Sequence, residues 1–161
     1  MRGQQPEEHW EAQRIGPGEF RPTAFLAHSF DPADQAVVGC VTDSLGTIGI
    51  KVFTGEKPRA NRISEKVKKL IDEQYLFVGV FTRREKLSHK NKWNTSPWVI
   101  DEKAYAVAKG RKLILLKEAG VDSIGGIQGD YEFVEFSRKN LAPIPIKILQ
   151  IFDLSINGLR P

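Results

Sequence analysis

The chain has 161 residues, 40% of them hydrophobic and 27% charged, a balance typical of one globular domain with a buried core. The formal net charge is +4, and the basic residues are too dispersed for an interface with duplex nucleic acid. A single cysteine, Cys40, excludes an internal disulfide and a cysteine-based metal site. No apolar run suits a membrane span. We therefore expect a cytoplasmic protein without a membrane partner.

The chain divides into three parts by composition. Residues 1–21 are polar and lack sustained periodicity, which predicts a flexible leader. Residues 22–156 carry the apolar patterns of a folded domain, and residues 157–161 form a short tail. The modest positive charge favours anionic small molecules, nucleotides among them, as ligands.

Strands and helices alternate along the folded part. The predicted strands cover 23–28, 48–53, 75–81, 111–116 and, as an edge strand, 131–136; the predicted helices cover 33–45, 62–73, 97–109 and 141–154. Continuous apolar strands indicate burial on both faces, hence a parallel sheet between helices. Two prolines confine the start of the last helix to about Pro145, and Ile146, Leu149 and Phe152 are predicted to face the core.

Polar residues mark the predicted helix ends. Asp31 or Asp34 is placed to cap the first helix, and Gly46 to close it. Ser96 is placed as the N-cap of the third helix, with Pro97 at its first position. These signals put the start of the third helix next to the end of a buried strand.

Ligands of open parallel sheets bind outside the carboxyl ends of the strands. That edge collects the residues that follow each predicted strand: 29–31, 55–61, 82–96 and Lys117. The third helix begins at the same edge. Trp98 and Glu102 lie four residues apart on one side of this helix, and Asp101 faces away from Glu102. Topology therefore places both residues beside the predicted ligand site.

Several segments, in order, resemble a Toll/interleukin-1 receptor (TIR) domain, in particular a prokaryotic one. SPWVIDE at 96–102 resembles the S-x-W-x-x-x-E segment of the family, and AFLAHSF at 24–30 resembles its opening strand. VFTGEKPRANR at 52–62 resembles the second strand and the BB loop. The resemblance spans about residues 23–153. It implies an α/β fold, a flavodoxin-like three-layer sandwich with a central, mainly parallel five-stranded sheet.

The resemblance implies an enzyme that cleaves the nicotinamide–ribose bond of NAD, with NAD as substrate and no cofactor or metal. The products are nicotinamide and ADP-ribose or a cyclic ADP-ribose, and the setting is immune (antiphage) signalling or cell-death defence. Glu102 takes the position of the catalytic glutamate, with Trp98 one turn before it. A fixed carboxylate stabilises the positive charge that develops on the ribose as the bond breaks.

The remaining substrate contacts are expected in two loops. Ser29, Phe30 and Asp31 occupy the loop that flanks the nicotinamide and its ribose in the family, and Phe30 stands where many members have a polar or basic residue. Basic side chains near the rim are placed to meet the pyrophosphate: Lys57, Arg59, Arg62, Arg83 and Arg84.

Two other functions fit the same residues. Some TIR domains are non-enzymatic modules that act by homotypic self-association, often beside a sensor or effector domain. A nucleoside deoxyribosyltransferase-like enzyme has related carboxylate chemistry. Individual residues also have ordinary interpretations: Glu102 as a solvated residue favoured by the helix dipole, Trp98 as core packing, His28 as a structural histidine and 83–92 as a solvated basic face.

Overall fold

The computed structural model describes residues 22–57, 63–126 and 133–157. The strands are β1 (Thr23–Ala27), β2 (Lys51–Thr54), β3 (Leu76–Phe81), β4 (Lys112–Glu118) and β5 (Val134–Phe136). The helices are α1 (Gln35–Thr47), α2 (Glu65–Asp72), α3 (Pro97–Ala108) and α4 (Pro143–Asn157), with a 3-10 turn at Pro32–Asp34 before α1. The predicted leader and the last four residues lie outside the described residues.

All five strands are parallel, in the order β2-β1-β3-β4-β5. Helices α1 and α4 pack on one face of the sheet, where Val41 and Ile148 join the core. Helices α2 and α3 cover the other face, where Val67 and Val99 pack near Phe25. The α/β, flavodoxin-like three-layer sandwich expected from the sequence is confirmed, with a wholly rather than mainly parallel sheet.

Helix α4 differs from its prediction in both its start and its buried face. It begins at Pro143. The N–H groups of the first helical turn have no acceptor within the helix, so prolines there cost no hydrogen bond. Ile144, Ile148 and Phe152 are buried, whereas Ile146 is 62% exposed and Leu149 44% exposed. The prediction that these last two face the core was wrong, because the buried stripe starts at Ile144 and repeats every four residues.

The start and end of α1 also differ in detail from the prediction. Asp31 accepts a hydrogen bond from the Ala33 N–H at 2.8 Å and so caps the 3-10 turn, not α1 itself. Asp34 makes no capping hydrogen bond. The helix continues past Gly46 to Thr47, and the left-handed residue that follows it is Gly49, at φ 82°. Asp34 is therefore available for contacts elsewhere.

The segment after β4, residues 119–126, docks on α3. The Lys103 side chain is 1% exposed and donates hydrogen bonds from Nζ to the carbonyls of Ile124 at 2.6 Å and Gly125 at 2.5 Å. Burial lowers the pKa of Lys103. Gly125 has φ 74°, and a Cβ atom there would lie 2.5 Å from Ile100 Cγ2. These contacts hold one side of α3 in place.

Gly125→Ala is expected to destabilise the fold by about 2 kcal/mol, because alanine disfavours positive φ and its methyl group overlaps Ile100. Urea denaturation followed by circular dichroism measures this effect. Gly39→Ala is the control, since a Cβ there meets nothing within 4 Å in the middle of α1. It is expected to be stabilising by up to about 1 kcal/mol. Equal stability of the two variants contradicts the prediction.

No helix in the described ranges is both long and apolar enough to cross a membrane.

Candidate active site

Glu102 is a buried carboxylate close to the chain that leaves β2. Its residue surface is 6% exposed. A Cβ atom placed on Gly55, the first residue after β2, would lie 3.8 Å from Glu102 Oε1, 3.4 Å from Phe25 Cζ and 3.1 Å from Val67 Cγ2. Glycine at this position leaves room above the carboxyl group. Glu102 thus lies at the carboxyl edge of the sheet, with apolar side chains on its inner side.

The surroundings of Glu102 favour its neutral form. None of the described residues donates a hydrogen bond to its carboxyl group or forms an ion pair with it. Burial, assisted by the negative charge of the exposed neighbour Asp101, raises the pKa of Glu102 to about 8. A buried carboxyl group without a partner is costly for folding, which makes it a marker of a functional site.

One aromatic side chain, Trp98, lies one helical turn before Glu102. The half-buried indole of Trp98 is placed to donate from Nε1 to the His28 carbonyl oxygen, at a long distance of 3.4 Å. The rings of His28 and Phe30 have centroids 4.7 Å apart, tilted by 48°. Trp98 and Phe30 thus both lie close to His28, the residue that follows β1.

The loop after β1 is held in place by Arg84. Its Nη1 donates to Ser29 Oγ at 3.1 Å, and its Nη2 to Asp31 Oδ2 at 3.0 Å. Ser29 also accepts from the Asp31 N–H at 3.1 Å. The hydrogen bond from the Ala33 N–H, together with Arg84, lowers the pKa of Asp31. The structure thus brings Ser29, Phe30 and Asp31 together with Trp98, through His28.

The basic residues predicted to meet a pyrophosphate have different surroundings. Lys57 is exposed beyond β2, close in sequence to Gly55. Arg59 and Arg62 lie outside the described residues. Arg84 is engaged by the loop after β1, and Arg83 donates from Nε to the Ala119 carbonyl at 2.5 Å. Of the three that lie within the described ranges, Arg84 is the one hydrogen-bonded to Ser29 and Asp31.

The basic segment 82–96 is not an open loop. A bridge between Lys86 and Trp93, with hydrogen bonds from the Arg84 N–H to the Asn94 carbonyl and from the Asn94 N–H to the Glu85 carbonyl, folds it into a short hairpin. The Arg83 guanidinium carbon lies 4.2 Å from the centroid of the Trp93 ring, and Lys86 Nζ lies 5.6 Å from it. Trp93 therefore anchors the hairpin between two cations.

A second group of charged residues, which the sequence did not indicate, lies across the sheet edge from Glu102. Arg138, after β5, donates to Asp34 Oδ1 at 2.8 Å and to both oxygens of Glu118, at 3.0 and 2.9 Å. Asp34 is 1% exposed and accepts a further hydrogen bond from Thr82 at 2.6 Å. Burial favours the neutral form of Glu118, but hydrogen bonds from Arg138 and Arg83 outweigh this and lower its pKa.

These residues line a cavity of about 690 Å³, which we call the switch-point cavity. Its lining comes from the chain after β1, β3, β4 and β5: Asp31, Ala33, Asp34, Arg83, Arg84, Glu118, Ala119, Ser137, Arg138 and Lys139. Residues that leave β1 and β3, where the strand order reverses, form much of its wall. In sheets of this order, that reversal is where ligands bind.

Within the described ranges, no three His, Cys, Asp or Glu side chains form a group able to bind a metal ion.

Comparison with known proteins gives a structural likeness. The chain matches no protein-family model and no curated protein sequence. It is similar in structure to a CMP N-glycosidase of Clostridium botulinum, BcmB, with TM-score 0.55 and 18% identity over 80% of this chain and 98% of that one. The TIR domains of the activated Roq1 resistosome match with TM-score 0.43 and 20% identity, over 61% of this chain and 58% of that one. The first likeness establishes a shared fold.

Proposed function

We propose that this protein cleaves N-glycosidic bonds of nucleotides, with the nicotinamide–ribose bond of NAD as its principal target. The observation that carries the proposal is Glu102, a buried carboxyl group without a hydrogen-bonding partner among the described residues, beneath Gly55 at the ligand edge of the sheet. The resemblance of SPWVIDE to the TIR family supports the choice of NAD. The fold shared with a CMP N-glycosidase is compatible with the same class of reaction.

The chemistry follows from the charge of the leaving group. Nicotinamide departs from NAD as a neutral molecule, so no proton has to be supplied to it. The developing positive charge on the ribose is stabilised by a nearby ionised carboxylate, which Glu102 provides. The positive charge of the bound nicotinamide ring lowers the pKa of Glu102 and so favours the ionised form. Trp98 and Phe30 shield the reacting bond from water and pack against the base.

A second substrate class is favoured by the protonation of Glu102. An uncharged base such as cytosine leaves as an anion unless it receives a proton. With a pKa of about 8, Glu102 holds a proton at neutral pH and is able to donate it. A nucleoside monophosphate with an uncharged base is therefore the alternative substrate, and in this case Glu102 acts as a general acid.

Incubation of the purified full chain with NAD, NMN and CMP in turn tests the proposal, with products identified by mass spectrometry. We expect free nicotinamide together with ADP-ribose or a cyclic ADP-ribose from NAD. Cytosine with ribose 5-phosphate supports the alternative, and turnover of a deoxynucleoside alone supports a deoxyribosyltransferase. Absence of cleavage with every substrate, at low protein concentration and at concentrations where light scattering shows assembly, contradicts the proposal and favours a non-enzymatic module.

The pH dependence of kcat/KM distinguishes the two roles of Glu102. If the ionised carboxylate acts on NAD, kcat/KM is expected to rise about tenfold per pH unit and level off near pH 8, the pKa of Glu102 in the free protein. If the protonated group acts on CMP, kcat/KM is expected to fall above pH 8 instead. A flat profile between pH 6 and 9 for both substrates contradicts a role for Glu102 in either reaction.

Four further expectations stay predictions. They are homotypic self-association, a partner domain beyond this chain, a cytoplasmic location, and a role in immune signalling or cell-death defence.

A further inference from the structure

The switch-point cavity is lined by three carboxylates and four basic side chains. Its three carboxylates are fully engaged by the protein. Asp31 accepts from the Ala33 N–H and from Arg84, and Asp34 accepts from Thr82 and Arg138. Glu118 accepts from Arg138 with both oxygens and from the Arg83 N–H. Every carboxylate oxygen in the wall therefore already has a donor.

Several donors in the same wall have no acceptor within the described ranges. The guanidinium of Arg83 donates one hydrogen bond, from Nε to the Ala119 carbonyl. Its terminal nitrogens donate to none of the described residues. The Lys139 side chain is exposed, and its Nζ makes no hydrogen bond with them. The Ser137 hydroxyl accepts from the Lys139 N–H at 3.3 Å and keeps its own proton to donate. These donors suit an anionic ligand rich in acceptors, such as a phosphate.

The loop after β1 contacts both the cavity wall and the proposed catalytic site. Arg84 lines the cavity and donates to Ser29, the residue next to His28. The His28 carbonyl in turn faces Trp98 Nε1, one helical turn from Glu102. A cavity of about 690 Å³ has room for the phosphate-bearing part of a nucleotide. The loop after β1 thus contacts the cavity through Asp31 and Trp98 through His28, which places the cavity and the proposed catalytic site on the same loop.

We propose that the switch-point cavity binds the phosphate of the nucleotide substrate through Lys139, Ser137 and the terminal nitrogens of Arg83. This assignment rests on the function proposed above. The carboxylates Asp34 and Glu118 serve to hold Arg138 and the surrounding loops in place, while the donors with no acceptor face the ligand. The protein therefore prefers phosphorylated substrates to the corresponding nucleosides.

Binding is tested first, without turnover, with inorganic pyrophosphate as the probe. Amide NMR of the full chain is expected to show shifts at Ser137, Lys139 and Arg83 on titration. Lys139→Gln is expected to weaken binding about tenfold. Lys112→Gln is the matched control, because Lys112 is exposed and begins β4 at the opposite edge of the sheet. The affinity of Lys112→Gln for pyrophosphate is expected to equal that of the wild type.

Turnover is tested with a pair of substrates that differ only in a phosphate, NMN and nicotinamide riboside. The fall in kcat/KM caused by Lys139→Gln is expected to be about tenfold larger for NMN than for the riboside. Equal losses on the two substrates overturn the assignment of the cavity to the substrate phosphate.

The two proposals fail in different ways. If pyrophosphate does not bind, or binds Lys139→Gln and Lys112→Gln equally well, the anion site is overturned whatever the enzyme assay shows. If pyrophosphate binds in a Lys139-dependent way but no nucleotide is cleaved, the anion site is supported and the proposed function is overturned.

Discussion

Replacing Glu102 with glutamine is expected to lower kcat for cleavage of NAD by about 10²–10³-fold, the usual loss when a group that stabilises transition-state charge is removed. Glutamine keeps the size and hydrogen-bonding shape of the side chain but carries no negative charge. KM is expected to change little, because the lost interaction matters chiefly when positive charge develops on the ribose. Nicotinamide release in single-turnover experiments measures the chemical step directly.

Asp101→Asn is the matched control for this experiment. Asp101 is exposed and adjacent to Glu102, so the variant removes one carboxylate from the same helix turn without touching the proposed catalytic group. Its kcat is expected to stay within a few-fold of the wild type. Because its negative charge contributes to the raised pKa of Glu102, the midpoint of the pH profile is expected to move to lower pH. A Glu102→Gln variant as active as wild type rejects the catalytic assignment.

The same substitution, Glu102→Gln, is expected to stabilise the fold at neutral pH. The folded protein holds a proton on Glu102 up to about pH 8, whereas the unfolded chain releases it near 4.5, the ordinary pKa of a glutamate side chain. Folding stability therefore falls as pH rises between these two values, by roughly 1.4 kcal/mol per pH unit. Glutamine does not titrate, so the variant avoids this loss. At pH 7 the expected gain is roughly 3 kcal/mol.

Urea denaturation at a series of pH values tests this prediction. The difference between Glu102→Gln and wild type is expected to be small at pH 4.5 and to widen steadily towards pH 8. Glu73→Gln is the control, because Glu73 is exposed and its ion pair with Lys69 is long, at 3.8 Å. Its effect is expected to stay within about 0.5 kcal/mol at every pH. A pH-independent difference for Glu102→Gln argues against a raised pKa.

The sequence predicts the sheet well because its strands are continuous apolar runs that only a covered parallel sheet accommodates. The run from Leu76 to Phe81 is buried at every position, as expected. Periodicity is less informative for α4, where apolar residues occur on both faces. There the sequence alone does not decide which face is buried. The structure buries Ile144 and Ile148 and leaves Ile146 and Leu149 exposed.

Some residues of the candidate site can likewise be predicted from the sequence, and others cannot. Glu102 could be singled out because SPWVIDE resembles the TIR segment that carries the catalytic glutamate, and topology places α3 at the ligand edge. The group around Asp34 could not, because its partner Arg138 lies 104 residues further along the chain. In the sequence each looks like an ordinary solvated charge. The cavity they line forms because β5 pairs with β4 and brings Arg138 to Asp34. No local sequence pattern predicts this pairing.

The position of Trp93 has a practical consequence for experiments. Its indole packs against Arg83, which lines the switch-point cavity. An anion that draws the guanidinium away from the ring changes the polarity around the indole and hence its emission. The sequence contains three tryptophans, so a variant with both Trp10→Phe and Trp98→Phe leaves Trp93 as the sole source of tryptophan emission. In this variant the emission of Trp93 is expected to report the proposed anion binding, in titrations that need no label.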